Sequence, residues 1–154
     1  FDMDDDIKIE RLGAGDERRL ANVAAGVFDN EVVPRLAKRY LQGAHNVLVV
    51  ALAGDLVVGF ASGLFYLHPD KEQELWVNEV GVATAYRRRG IGQEIMATIA
   101  QIALRESCRG CWVLTEPDNA PANALYRSLA DWTGPDEQAM YSISFKTKPP
   151  PTRR

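Results

Sequence analysis

The chain has 154 residues, 46% hydrophobic and 25% charged, with a net charge of −3. That is the size of one ordinary domain, long enough to bury a core without disulfides or metals. Its acidic balance argues against nucleic acid as the main partner and tolerates a cationic small substrate. The longest apolar run, Val47 to Ala53, is strand length, so neither a membrane partner nor a secretory leader is expected and a cytoplasmic location is. Phe1 and Asp2 are read as residues added ahead of a natural start at Met3.

Ile7 to Leu12 alternates as a short strand. After the turn Gly13-Ala14-Gly15-Asp16, residues Glu17 to Phe28 show Leu20, Val23, Ala24 and Val27 at helical spacing, and a helix is predicted there. A second helix is predicted from Pro34 to Gln42, opened by a first-turn proline and stopped by Gly43. Val47 to Ala53 and Leu56 to Tyr66 read as a hairpin across Gly54-Asp55, with Gly59 and Gly63 as weak points or bulges. Leu75 to Val82 is the next strand. Ile91 to Arg105 is a helix with an apolar stripe of Ile91, Ile95, Ile99, Ile102 and Ala103. A strand Cys111 to Thr115, a helix Ala120 to Leu129 and a last alternating strand Ala139 to Phe145 complete one mixed α/β domain. The domain is expected to span 7–146, between an N-terminal tail (1–6) and a flexible, proline-rich basic tail (147–154). Cys108 and Cys111 form a lone C-x-x-C between a helix and a strand, with His45 and His68 far off in sequence. That gives neither a redox nor a zinc pattern, and no metal is expected.

The strongest chemical feature is the turn Arg87-Arg88-Arg89-Gly90-Ile91-Gly92, placed between a predicted strand and a predicted helix. Such a junction presents unpaired backbone N–H groups and the positive end of a helix dipole, which suits a pyrophosphate. The glycines allow close approach and positive φ, and the arginines add charge. No Gly-Lys-Ser/Thr follows, and the third glycine of a dinucleotide fingerprint is missing. The plainer reading is a basic surface turn that caps a helix.

With Arg87, Gly90 and Gly92, the chain resembles the GNAT superfamily of N-acetyltransferases, whose phosphate-binding pattern is Gln/Arg-x-x-Gly-x-Gly/Ala. Asn119-Ala120-Pro121-Ala122-Asn123-Ala124-Leu125-Tyr126 is similar to the family's second signature, Asn-x-x-Ala-x-x-Leu-Tyr. The resemblance covers Leu75 to Leu129 and departs at Ala130-Asp131-Trp132, where the family usually has Gly-Phe. It implies a mixed, mostly antiparallel sheet with splayed central strands and flanking helices. Acetyl-coenzyme A is the implied co-substrate, held by Val80, Gly81 and Val82 at the pantetheine and by Arg87, Arg88, Arg89, Gly90, Ile91 and Gly92 at the pyrophosphate. Asn119 either bonds pantetheine or caps its helix.

Acetyl transfer to an amine requires removal of a proton from an ammonium of pKa about 10 and delivery of one to a thiolate of pKa roughly 8.5. Tyr126 holds the position that serves as general acid in many members, or else packs on the sheet. Glu79, just before oxyanion donors expected from Gly81 or Val82, is the candidate base, or else a solvated strand carboxylate. Glu116 and Asp118 follow a strand end, where ligand-lining loops gather, and are either binders of a cationic acceptor or plain loop acids.

Val27 to Val32, His68 to Lys71, Glu74 to Val82 and Thr115 to Asn119 look like the aminoglycoside 3-N-acetyltransferase branch. Asp29 and Glu31 lie in the break between the first two helices, where this fold usually builds its acceptor wall; with Glu79, Glu116 and Asp118, and Asp136 and Glu137 as further candidates, they either form an acidic cleft for a polycation or are ordinary surface acids of an acidic chain. Three functions follow: acetylation of the 3-amino group of aminoglycosides in a ternary complex, acetylation of another small-molecule or peptide amine, and non-catalytic acyl-coenzyme A binding. Proteins of this fold are often homodimers, and Trp132, Tyr141 and Phe145 belong either to an interface or to the core.

Overall fold

The computed structural model describes residues 6–145. Five strands form one mixed sheet in sequential order: β1 (Ile7–Leu12), β2 (Asn46–Ala53), β3 (Leu56–Tyr66), β4 (Glu74–Val82) and β5 (Cys111–Val113). The first four pair antiparallel, and β4 pairs with β5 in parallel. A parallel pair needs a crossover. It is supplied by α2 (Ile91–Arg105), while α1 (Pro34–Gln42) precedes β2 and α3 (Ala120–Arg127) follows β5.

The sheet is apolar on both faces because both are covered. β2 reads as a continuous apolar run, and Val47 to Leu52 are all buried. Val47, Val49, Val58, Ala61, Leu75 and Val77 pack against Ile91, Ile95, Met96, Ile99 and Ile102 of α2. Leu48, Val50, Leu52, Val57 and Phe60 meet Ala37 and Leu41 of α1 together with Leu20 and Val27. The helical stripe expected at Ile91, Ile95, Ile99, Ile102 and Ala103 is therefore the buried face of α2.

Both glycine weak points in β3 lie beside bulges. The register shifts between Ala51 and Leu52 opposite Gly59, leaving Val58 extra, and between Ser62 and Gly63, leaving Asn78 of β4 extra. The second shift reorients β4. Trp76 stands opposite Leu64 and Glu79 opposite Ser62, so the two lie on the same sheet face despite a spacing of three.

Two expected elements are corrected. The helix from Glu17 to Phe28 is only a 3₁₀ turn at Glu17–Leu20. Beyond it Val23 bridges Val57 in parallel. The Val57 N–H donates to the Asn22 carbonyl and the Ala24 N–H donates to the Val57 carbonyl, both at 2.9 Å. The segment takes the edge of β3 that β4 leaves after Val82, and Gly26 at φ 82° ends any helical course. The last strand, Ala139 to Phe145, pairs with nothing among the described residues; Met140, Tyr141, Ile143 and Phe145 are 77–93% exposed. Smaller differences shorten β5 to end at Val113 and α3 to end at Arg127. The tail expected at 147–154, most of the one at 1–6, and Met3 fall outside the described residues.

Gly81 shows why the Asn22–Phe28 segment lies so close to the sheet. A Cβ there would collide with the Val27 carbonyl oxygen and stand 2.9 Å from Cε1 of Phe60. Gly81→Ala is therefore expected to destabilise the fold by roughly 1–3 kcal/mol. Thermal unfolding checks this, with a melting point lower by several degrees as the result expected.

Candidate active site

β4 pairs with β5 only from Leu75 to Val77, opposite Cys111 to Val113. From Asn78 to Val82 it keeps β3 alone, so β4 and β5 part at this point. The alternation of backbone groups decides what faces the gap. The Ala83 N–H donates to the Val58 carbonyl at 2.8 Å. Counting back, Gly81 and Glu79 also spend their N–H and C=O groups on β3, whereas Val80 and Val82 turn theirs toward the gap. The backbone donors nearest the splay are thus those of Val80 and Val82, and the Gly81 amide is engaged with Phe60. Gly81 contributes close approach instead.

The Arg/Gly turn closes the same end of β4. After a 3₁₀ turn at Thr84–Tyr86, Arg88 takes φ 63° and Gly90 φ 76°. Gly90 is the N-cap of α2 and supplies no side-chain acceptor, so the first-turn N–H groups at Ile91, Gly92 and Gln93 lack an intrahelical partner. This is a cradle an anionic group fits. Two of the three exposed arginines are held differently: Arg87 Nε donates to the Val82 carbonyl at 3.1 Å, and the Arg89 guanidinium sits 5.0 Å from the Tyr86 ring centroid. Ile91 is buried against β3. Gly92 is buried, and a Cβ on it would lie 3.1 Å from both Leu125 δ-carbons. Gly92 thereby lets α3 pack directly over the start of α2.

That contact brings the second signature to the turn. Asn119 caps α3, its Oδ1 accepting from the Ala122 N–H at 3.2 Å. Asn123, which the sequence analysis left without a role, is the clamp of the loop. Its Nδ2 donates to the carbonyls of Glu116 (3.1 Å), Pro117 (3.4 Å) and Asn119 (2.8 Å). The available signal was an asparagine, a poor helix former, one turn into a helix. Tyr126 is half-buried against the α2 side of the core, and burial raises its phenol pKa above the ordinary 10.0.

Glu79 is exposed on the opposite, α1-facing side, across from Ser62, the buried polar residue of β3. Its charge helps raise the pKa of Tyr40, whose main cause is burial; the Tyr40 hydroxyl donates to the carbonyls of Val47 and Gly63. On the same face the rings of Trp76 and Trp112 stack at 5.2 Å and 9°.

Asp29 and Glu31 line one cavity of about 670 Å³ between the 3₁₀ turn and the start of α1. Glu17, on the 3₁₀ turn rather than in the first turn of a helix, joins them there, and its Oε2 is buried without a hydrogen-bond partner among the described residues. Glu116 and Asp118 are exposed on the Asn123-clamped loop and do not line that cavity, nor do Asp136 and Glu137, which lie on the exposed stretch after α3. Cys108 and Cys111 are free thiols. Burial, with Cys108 close by, pushes Cys111 up to about 11, and burial also raises Cys108, so neither is a thiolate at neutral pH. Among the described residues no helix is long and apolar enough to cross a membrane.

A splayed mixed sheet with a glycine-rich helix N-terminus at the splay defines the class, an α/β domain shaped to cradle an anionic group beside open strand donors. The chain belongs to the GNAT acetyltransferase family, whose sequence model matches residues 18–130. It is similar to the N-alpha-acetyltransferase RimI of Mycobacterium tuberculosis, with 35% identity over 127 residues covering 80% of this chain and 77% of that one. It also matches the L-2,4-diaminobutyric acid acetyltransferase of Shouchella clausii, with 32% identity over 88 residues, covering 55% of this chain and 47% of that protein. Among solved structures, an aminoglycoside acetyltransferase from an uncultured soil metagenomic sample superposes with a TM-score of 0.81 at 19% identity, over 93% of this chain and 99% of that one. The chain is a GNAT N-acetyltransferase.

Proposed function

We infer that the chain transfers acetyl from acetyl-coenzyme A directly to a primary amine of a small polycation, the 3-amino group of an aminoglycoside being the acceptor to test first. The observation that carries this reading is the cavity holding Glu17, Asp29 and Glu31, with an unpaired buried oxygen on Glu17. A buried carboxylate oxygen without a donor is costly unless a cation meets it. A cavity of about 670 Å³ also lies within the usual size of a small-molecule site.

Acetyl-coenzyme A supplies the thioester. The first-turn amides of α2 and the arginines bind its pyrophosphate, and Val80 and Val82 bind its pantetheine through their backbone groups. Asn119 holds α3 in place. Glu79 takes a proton from the acceptor ammonium, and the amine nitrogen bonds to the carbonyl carbon. The Val82 amide, rather than that of Gly81, stabilises the oxyanion. The C–S bond then breaks as Tyr126 gives its proton to the leaving sulfur, and the second proton shed by the nitrogen as it becomes an amide restores the Tyr126 phenol. Support for Tyr126 is its place on α3, which packs over the glycine turn at the start of α2 through the neighbouring Leu125. Glu116 and Asp118, on the loop after β5, are proposed to meet further amino groups of the acceptor outside that cavity.

A second reading, the α-amino group of a peptide, is favoured by the match to RimI over most of both chains. Thiol release from acetyl-coenzyme A against gentamicin-like and kanamycin-like aminoglycosides, diamines and short peptides tests the two. Release only with 2-deoxystreptamine compounds, with acetyl on the 3-amino nitrogen, is the expected result. Release with peptides alone would overturn the polycation reading and keep the chemistry. Tight coenzyme binding without release for any amine would favour a non-catalytic binder.

A further inference from the structure

Aromatic side chains carry the largest apolar area a chain can bury, and a fold normally places them in its core. Tyr66, Trp76 and Trp112 join neither of the two buried clusters. They gather instead on the α1-facing side of the sheet, with both tryptophans partly exposed and Tyr66 43% exposed. Trp76 and Trp112 stack at 5.2 Å and 9°, which occupies one face of each indole. Tyr66 meets Trp112 edge-on at 6.5 Å and His68 meets Tyr66 edge-on at 4.7 Å. His68 Nε2 in turn lies 2.9 Å from Oε1 of Glu74.

The register sets these rings in line with Glu79. Residues paired across strands share a face. Glu79 lies beside Ser62, one row from Phe60. Phe60 packs on Phe28 with ring centroids 4.0 Å apart, and Phe28 lines the acidic cavity. In the other direction the next row carries Trp76 and Trp112, and the last carries Tyr66 and Glu74. Glu79 therefore stands between the acidic cavity and the aromatic surface. Along β4 the indoles begin roughly 10 Å from Glu79, and Glu74 lies roughly 15 Å away.

We propose that the Trp76–Trp112 stack, with Glu74 at its end, is a second acceptor subsite that holds a remote, ammonium-bearing saturated ring of a long polycation. This rests on the polycation reading above and adds to it a requirement for length. Aromatic faces attract ammonium groups through the ring quadrupole, tryptophan most strongly. A saturated ring offers its C–H face to the indoles and its ammonium to the Glu74 carboxylate. A wholly apolar occupant would instead cover carboxylates at both ends of the surface, Glu74 and Glu79, and leave them without a cation. An acceptor of one ring, with its amine at Glu79, ends short of the indoles. An acceptor of three rings reaches them.

Initial rates of thiol release test the subsite with two acceptors, 2-deoxystreptamine alone and a three-ring kanamycin-like aminoglycoside. The wild type is compared with Trp112→Leu, Trp112→Phe and Glu74→Gln, and the melting temperature of each variant is measured beside it. In Trp112→Leu the KM for the three-ring acceptor is expected to rise ~5- to 30-fold. Trp112→Phe restores most of that loss, because it restores a ring face, and Glu74→Gln raises the same KM. Neither kcat nor the KM for 2-deoxystreptamine changes. A loosened fold does not produce a loss confined to KM and to the longer acceptor. A three-ring KM that Trp112→Leu and Glu74→Gln both leave unchanged would overturn the subsite and leave the polycation reading standing. So would equal losses for the two acceptors, or a lowered melting temperature with KM unchanged, which would assign the stack to packing, against residues 139–145 or another part of the chain. Wild-type release with peptides alone would overturn the polycation reading and the subsite together.

Discussion

Tyr126→Phe is expected to lower kcat by about 10²-fold while leaving the Kd of acetyl-coenzyme A near the wild-type value, because it deletes the proton given to the sulfur and leaves the pyrophosphate and pantetheine contacts in place. Phenylalanine keeps the ring that packs against the α2 side of the core, so the melting temperature should hardly move. The pH dependence carries a second signature. Burial raises the phenol pKa above 10.0, so the acid form persists through neutral pH and the basic limb of kcat assigned to this group lies above pH 10. In Tyr126→Phe that limb disappears. Stopped-flow thiol release across pH measures both effects. Unchanged turnover would return Tyr126 to a packing role.

Gly92→Asp is expected to raise the Kd of acetyl-coenzyme A by roughly 10- to 100-fold, since a charge-assisted contact is worth about 1.5–3 kcal/mol and the substitution sets an anion where the phosphates bind. The structure adds a steric consequence that must be separated from the charge. Any side chain at position 92 starts 3.1 Å from the δ-carbons of Leu125. Gly92→Ala makes that contact without the charge. Leu125 is flexible at its tip, so the alanine variant should stay folded and bind within about threefold of wild type, an energy below about 0.7 kcal/mol. Calorimetric titration of both variants divides the roles. Equal losses in alanine and aspartate would assign Gly92 to helix packing alone.

What could be read before the fold was known follows the range of each interaction. α1 and α2 announced themselves locally, with Pro34 and Gly43 bounding one and Gly90 capping the other. The hairpin at Gly54-Asp55 and the bulges beside Gly59 and Gly63 rest on turn and strand preferences that act over a few residues. The segment after Leu20 misled because its apolar spacing fits a helix, while its conformation is decided by Val57, more than thirty residues away. Ala139 to Phe145 has every local property of a strand, but a strand also needs an edge, which no local pattern supplies.

The candidate site divides in the same way. The Arg/Gly turn and Asn119 were legible because their chemistry is backbone chemistry at helix starts. The company of Glu79 was not: the extra residue at Asn78 sets it on the face of Trp76, and strict alternation across three positions would have placed them on opposite faces. Glu17 was hidden by the mistaken helix. Asn123 was hidden because its three acceptors converge only once the loop before α3 has folded.

In the proposed reaction the acetyl group passes straight from coenzyme to amine with both bound. Initial rates of thiol release with acetyl-coenzyme A and an accepted amine varied together test it directly. Double-reciprocal lines that intersect are the pattern expected of a ternary complex. Parallel lines, together with acetyl retained on the protein when coenzyme is released in the absence of amine, would contradict it.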